Sequence, residues 1–145
     1  MTSHAPFAIS GPIAGRLDAV LAWWQDLRRG SAEVPFADDI VMPDFERLCP
    51  RMFLLEVFAK PERFRLAIAE VGLSDADRDR VLGRFLDEVD LPAPFEMLRA
   101  QASATVECMH PTIHVHEGDG AYQRLLLPAW GEGEVRLLLG AVQAV

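Results

Sequence analysis

Apolar residues recur at helical spacing near the start of the chain. Ile13, Leu17, Val20, Leu21, Trp24 and Leu27 share one broad face, while Arg16, Asp18, Gln25, Arg28 and Arg29 fall mainly elsewhere. Ser10-Gly11-Pro12 supplies a capping residue and a proline suited to the first helical position, and Gly30 closes the segment. The pattern predicts an amphipathic helix over residues 12–29. Burying its six apolar side chains is worth roughly 10–15 kcal/mol as an upper limit, before ordering entropy is subtracted. Docking on the chain's own sheet or on a second copy would satisfy the pattern equally well.

Beyond that helix, Val34-Pro35, Asp38-Asp39 and Met42-Pro43 read as an irregular loop leading to a short helix over 44–48, which Pro50 stops. The aromatic and branched run 52–59 predicts a strand apolar on both faces. After the turn Lys60-Pro61-Glu62, residues 64–70 alternate with Phe64, Leu66 and Ile68 on one face, completing a hairpin. Ser74-Asp75-Ala76-Asp77 is a capping box whose acids suit the positive end of a helix dipole. It opens a helix expected to continue through Val81, Leu82, Phe85 and Val89. Phe95, Leu98, Ala102 and Val106 predict another helix, ending before His110-Pro111. Three strands follow over 112–117, 122–130 and 134–142, with Gly118-Asp119-Gly120 and Gly131-Glu132-Gly133 providing the positive φ angles of tight hairpin loops.

The expected fold is therefore α+β, with a five-stranded antiparallel sheet, helices gathered on one face and an amphipathic N-terminal helix. Its 145 residues suit one domain. Residues 1–11 are expected to form a flexible N-terminus and 12–145 the domain, with 12–30 as its opening helix. A net charge of −8 and no basic run longer than Arg28-Arg29 argue against nucleic acid and anionic membrane surfaces as partners. No apolar stretch approaches the ~20 residues of a membrane span. The start lacks the pattern of a secretory signal, and Cys49 and Cys108 form no spacing motif, so the expected compartment is cytoplasmic, with both thiols reduced.

Several blocks resemble a family of bacterial single-domain PAS proteins. They are Trp24-Gln25-Asp26-Leu27-Arg28-Arg29-Gly30, then Val34-Pro35 with Asp38, then Leu48-Cys49-Pro50-Arg51-Met52-Phe53-Leu54-Leu55. Arg124-Leu125-Leu126-Leu127-Pro128 and Leu137-Leu138-Leu139-Gly140-Ala141 resemble that family's last two strands. The resemblance implies a PAS-like sheet with a small-molecule pocket between helices and sheet. On this reading Leu66, Ile68, Phe85, Leu98 and Leu126 line the pocket for a small apolar ligand. It further implies a homodimer, with Ile13, Leu17, Val20, Leu21, Trp24 and Leu27 at the interface, and no catalytic residues. The expected role is sensory or regulatory, exerted by binding a signalling protein, and the sequence requires no cofactor.

The most suggestive chemistry outside that resemblance is His110-Pro111-Thr112-Ile113-His114-Val115-His116. In a strand His114 and His116 share a face, about 6–7 Å apart, a spacing that permits one shared metal ion and an alternative reading as a small metal-dependent enzyme. Ile113 and Val115 take the opposite, core-like face, so the plainer expectation puts both histidines on the solvent side of an edge strand. No nucleophile elbow, phosphate-binding glycine loop or dinucleotide fingerprint occurs.

Overall fold

The computed structural model describes residues 5–145. Two helices, α1 (Gly15–Asp26) and α2 (Met42–Leu48), precede a hairpin of β1 (Met52–Phe58) and β2 (Arg63–Glu70). Two more, α3 (Asp75–Val81) and α4 (Leu98–Cys108), lead to the meander of β3 (Thr112–His116), β4 (Tyr122–Gly131) and β5 (Glu134–Ala144). The strands form one five-stranded antiparallel sheet in the order β2-β1-β5-β4-β3. Among the described residues no helix is long and apolar enough to cross a membrane.

The sheet is covered on both faces, which corrects the expectation of helices on one. α1 and α2 bury Leu17, Val20, Trp24 and Phe45 against Met52, Leu125, Leu127 and Leu139. The opposite face packs Phe53, Leu55, Leu66 and Leu126 against Phe95, Leu98 and Ala102 of the α4 region and Val81 of α3. Strands such as β4, with Leu125, Leu126 and Leu127 all buried, carry apolar residues on both sides because both sides are roofed.

α1 starts later than predicted, at Gly15, where the sheet holds its first turn. Its N-cap, Ala14, has no capping side chain. Instead Gln123 Oε1 of β4 accepts from Ala14 N at 2.6 Å, and Gln143 Oε1 of β5 accepts from Arg16 N at 2.9 Å. Two glutamines remote in sequence thus satisfy amides that a helix start leaves unpaired. The indole Nε1 of Trp24 donates to Pro128 O at 2.8 Å and ties the last turn of α1 to β4. Of the expected flexible N-terminus, residues 1–4 lie outside the described residues. Ala5–Phe7 form a 3₁₀ turn against β3, with Phe7 buried.

Two other expectations change for local reasons. α3 stops at Val81 instead of continuing to Val89, because Gly83 adopts φ +77° and turns the chain back along β2. Gly83 N donates to Leu66 O, Leu66 N to Arg84 O and Leu86 N to Phe64 O, so this segment covers the open edge of β2. In β2 a bulge shifts the register between Leu54↔Ile68 and Leu55↔Leu66. The extra residue, Ala67, reverses the alternation, so Leu66 faces α4 while Ile68 packs on the α1 side. The hairpin turns follow expectation: Glu132 and Gly133 both have positive φ in the β4–β5 loop, as do Gly118 and Gly120 before β4.

Candidate functional site

α4 is apolar through Leu98, Ala102 and Ala104, yet Gln101 and Thr105, one turn apart on its sheet-facing side, are also buried. They meet polar residues from β3 and β4, because cross-strand partners project to the same face of a sheet. Thr112 pairs with Leu126, His114 with Arg124 and His116 with Tyr122. Tyr122 and Leu126 belong to the α4-side core, so this face also carries Thr112, His114, His116 and Arg124.

Arg124 is the centre of this cluster and is fully buried. Its Nε donates to Gln101 Oε1 at 2.8 Å and its Nη1 to Pro94 O at 2.7 Å. Gln101 Nε2 in turn donates to Thr112 Oγ1 and to Arg124 O, both at 3.1 Å. Thr105 Oγ1 and Thr112 Oγ1 lie 2.6 Å apart, and Thr105 Oγ1 also bonds Gln101 O. Every acceptor gripping the guanidinium is neutral. Among the described residues Arg124 makes no ion pair, and its Nη2 is buried without a partner. Burial pulls Arg124 down to about 10, against the nearby charge of Glu96 and the presence of Tyr122.

Near the guanidinium stand Glu96, Tyr122 and His114. The Tyr122 hydroxyl donates to Glu96 Oε2. Burial, then that bond, raise the Tyr122 phenol well above its ordinary value. Burial pushes the Glu96 carboxyl up, but the Tyr122 bond and the charges of His116 and Arg124 bring it below its usual value. His116 stacks on Tyr122, ring centroids 5.1 Å apart. His114 sits between Tyr122 and Phe7, at 6.0 and 6.2 Å, with its Nε2 buried and unpartnered. Burial, then the charge of Arg124, lower His114 to about 4, so the ring is neutral near neutral pH.

The expected solvent side of β3 is therefore the inner side. Both histidines are half-buried toward Tyr122 and Arg124, and Val115, expected in the core, is 48% exposed. The alternation of Thr112, His114 and His116 with Ile113 and Val115 suggests polar outside, but α4 supplies Gln101 and Thr105 and makes that interior polar. The metal reading gains no third ligand: among the described residues no group of three or more His, Cys, Asp or Glu side chains is placed to hold an ion.

The six residues expected at a dimer interface are largely internal. Leu17, Val20 and Trp24 are at most 1% exposed, and Ile13 and Leu21 pack partly buried against the same core. Leu27 is half-buried at the end of α1. A homodimer through this stripe would require α1 to leave its own sheet. Of the five expected pocket residues only three are brought together. Leu66, Leu98 and Leu126 are fully buried in one packed core, Ile68 faces the other way, and Phe85 lies at the β2 edge, 3.8 Å below the Arg63 guanidinium. Cys49 is a buried thiol whose pKa burial pushes up, the behaviour of a packing residue.

One surface cleft adjoins the buried polar cluster. About 470 Å³ in volume, it is lined by Phe7, Pro12, Ile13, Met97, Ile113 and His114, among others. His114 belongs both to its wall and to the Arg124 pair. Sequence reasoning missed Arg124, Gln101 and Glu96. The available signals were a basic residue at an inward position of an otherwise apolar strand, and a Gln-x-x-x-Thr pair on the apolar stripe of a helix.

Fold and site define an α+β protein whose antiparallel sheet, roofed on both faces, encloses a buried arginine that makes no ion pair among the described residues. No protein-family model, curated protein or solved structure gives a significant match to the chain.

Proposed function

We propose that the chain is a PAS-like sensory or regulatory domain that acts by binding another protein, with the buried Arg124 cluster as the element through which it responds. The observation that carries the reading is the strand order β2-β1-β5-β4-β3, with a helical segment inserted between the hairpin and the meander. A five-stranded antiparallel sheet built from a hairpin, a helical insert and a three-stranded meander is what the PAS resemblance implies, although with its helices on one face only. The Arg124 cluster adds a reason for response. A packed core gains nothing from an uncompensated guanidinium, and strongly perturbed groups concentrate where a protein does more than fold.

The reading is tested by cross-linking the tagged chain in its native cells and identifying what is held at stoichiometric yield. A single partner whose cross-links map to one surface, and whose capture changes with Arg124→Met, supports regulation by protein contact. Recovery of the chain alone from both forms, or identical capture by both, would count against it.

A further inference from the structure

We propose that Arg124 and His114 hold the carboxylate of a small organic acid whose apolar part lies in the adjoining cleft. This deepens the regulatory reading by naming a ligand class, and rests on it only for what the ligand would signal.

The guanidinium is fixed from two sides. Nε is committed to Gln101 and Nη1 to Pro94 O, so Nη2 presents its two N–H donors in a set direction with nothing to receive them. On the paired position of the neighbouring strand, His114 Nε2 is also buried and unpartnered. Directly opposed residues on one face have Cβ atoms about 4.5–5.5 Å apart, close enough for both side chains to address one small group. With its proton on Nε2, a neutral imidazole donates to one carboxylate oxygen while Nη2 donates to the other.

Charge selects the ligand. Glu96, the acid beside the cluster, already accepts from Tyr122 and makes no hydrogen bond with Nη2. A water molecule would accept a hydrogen bond but add no charge to the partial compensation that Glu96 gives from a distance, whereas a carboxylate accepts the bond and pairs the charge directly. The remainder of the ligand has a place to go. His114 forms part of the wall of the 470 Å³ cleft and separates it from the fully buried Arg124, which does not line it; the other lining is mainly apolar, with Met97 59% and Val115 48% exposed. Concave, mostly apolar spaces of about 300–1,000 Å³ with a few convergent polar groups are the usual form of a small-molecule site.

The test is amide NMR titration of the full chain with benzoate, butyrate, formate and chloride at matched ionic strength. Benzoate and butyrate are expected to give saturable shifts in β3, β4 and residues 97–101, binding about tenfold or more tighter than formate, whose few atoms limit it to a Kd of about 1 mM or weaker. His114→Phe, at a half-buried position, keeps the folded spectrum and weakens benzoate about tenfold. Arg124→Met serves as a second variant, with His114→Phe decisive if it does not fold. Three results would overturn the proposal: no saturable shift up to about 50 mM, chloride binding as tightly as benzoate, or affinity unchanged in His114→Phe. Because the readout is binding alone, it can fail while a protein partner is found, and succeed while none is.

Discussion

Phe53 of β1 lies across Gly140 of β5, its pairing partner, so closely that a Cβ on the glycine would fall 2.1 Å from the ring. The same ring meets Phe95 edge-on at 5.1 Å, which leaves it little freedom to retreat. Gly140→Ala is therefore expected to destabilise the protein by about 1–3 kcal/mol or more through overpacking. Chemical denaturation of the variant checks this, and an unchanged midpoint would show that the ring moves freely.

Trp24 anchors α1 to its own sheet through Pro128 O. Trp24→Phe leaves that buried carbonyl without its donor, at an expected cost of about 1–3 kcal/mol. The larger truncation Trp24→Ala is expected to cost about 3–5 kcal/mol. In both variants and the parent the unfolding midpoint should not depend on protein concentration, because the stripe is covered within one chain. A midpoint that rises with concentration would instead assign the stripe to an interface between copies.

These two contacts show what the residue pattern could and could not specify. The residue pattern locates the five strands and, apart from the overlong third, the four α-helices among the described residues, since burial imposes a period of two or 3.6 whatever does the covering. What does the covering is a tertiary fact. The face of α1 from Leu17 to Trp24 reads the same whether its partner is Leu127 or a second molecule. Alternation puts Ile68 on the wrong side because a bulge has no signature in residue type, and Gly83 does not read as a helix stop because its φ matters only once the chain must return along β2. The polar cluster was hidden for a similar reason. Arg124 becomes anomalous only when Gln101 and Pro94 are brought from elsewhere in the chain to close over it.

Gln101 serves three neighbours through four hydrogen bonds, to Arg124 Nε, Arg124 O and Thr112 Oγ1 by its side chain and to Thr105 by its own carbonyl. Gln101→Leu removes the three side-chain bonds and strands a buried charge, so a loss of about 3–5 kcal/mol is expected. Combining it with Arg124→Met removes the charge as well, and the pair should be less destabilised than the sum of the single variants by about 0.5–3 kcal/mol. A double-mutant cycle measures this coupling, and simple additivity would mean that the two side chains do not depend on each other.

His114 makes stability depend on pH in a window that follows from its environment. Burial and the Arg124 charge lower it to about 4, against an ordinary value of 6.5, so between these values the unfolded chain binds a proton that the folded chain refuses. Stability is then fully present above pH 6.5 and falls as pH drops toward 4, below which the folded ring is protonated too. Each tenfold weakening of proton binding corresponds to about 1.4 kcal/mol, and discounting for the partly exposed ring leaves an expected loss of roughly 1–2 kcal/mol across the window. Carboxylates with lowered values, such as Asp39, Asp87 and Glu96, also lose their stabilising contribution on acidification, but in a lower range set by their ordinary values near 4. The difference between parent and His114→Phe, measured by urea unfolding at pH 7, 6 and 5, isolates the histidine. The parent should lose stability over that series more steeply than the variant, and parallel profiles would place the pH dependence elsewhere.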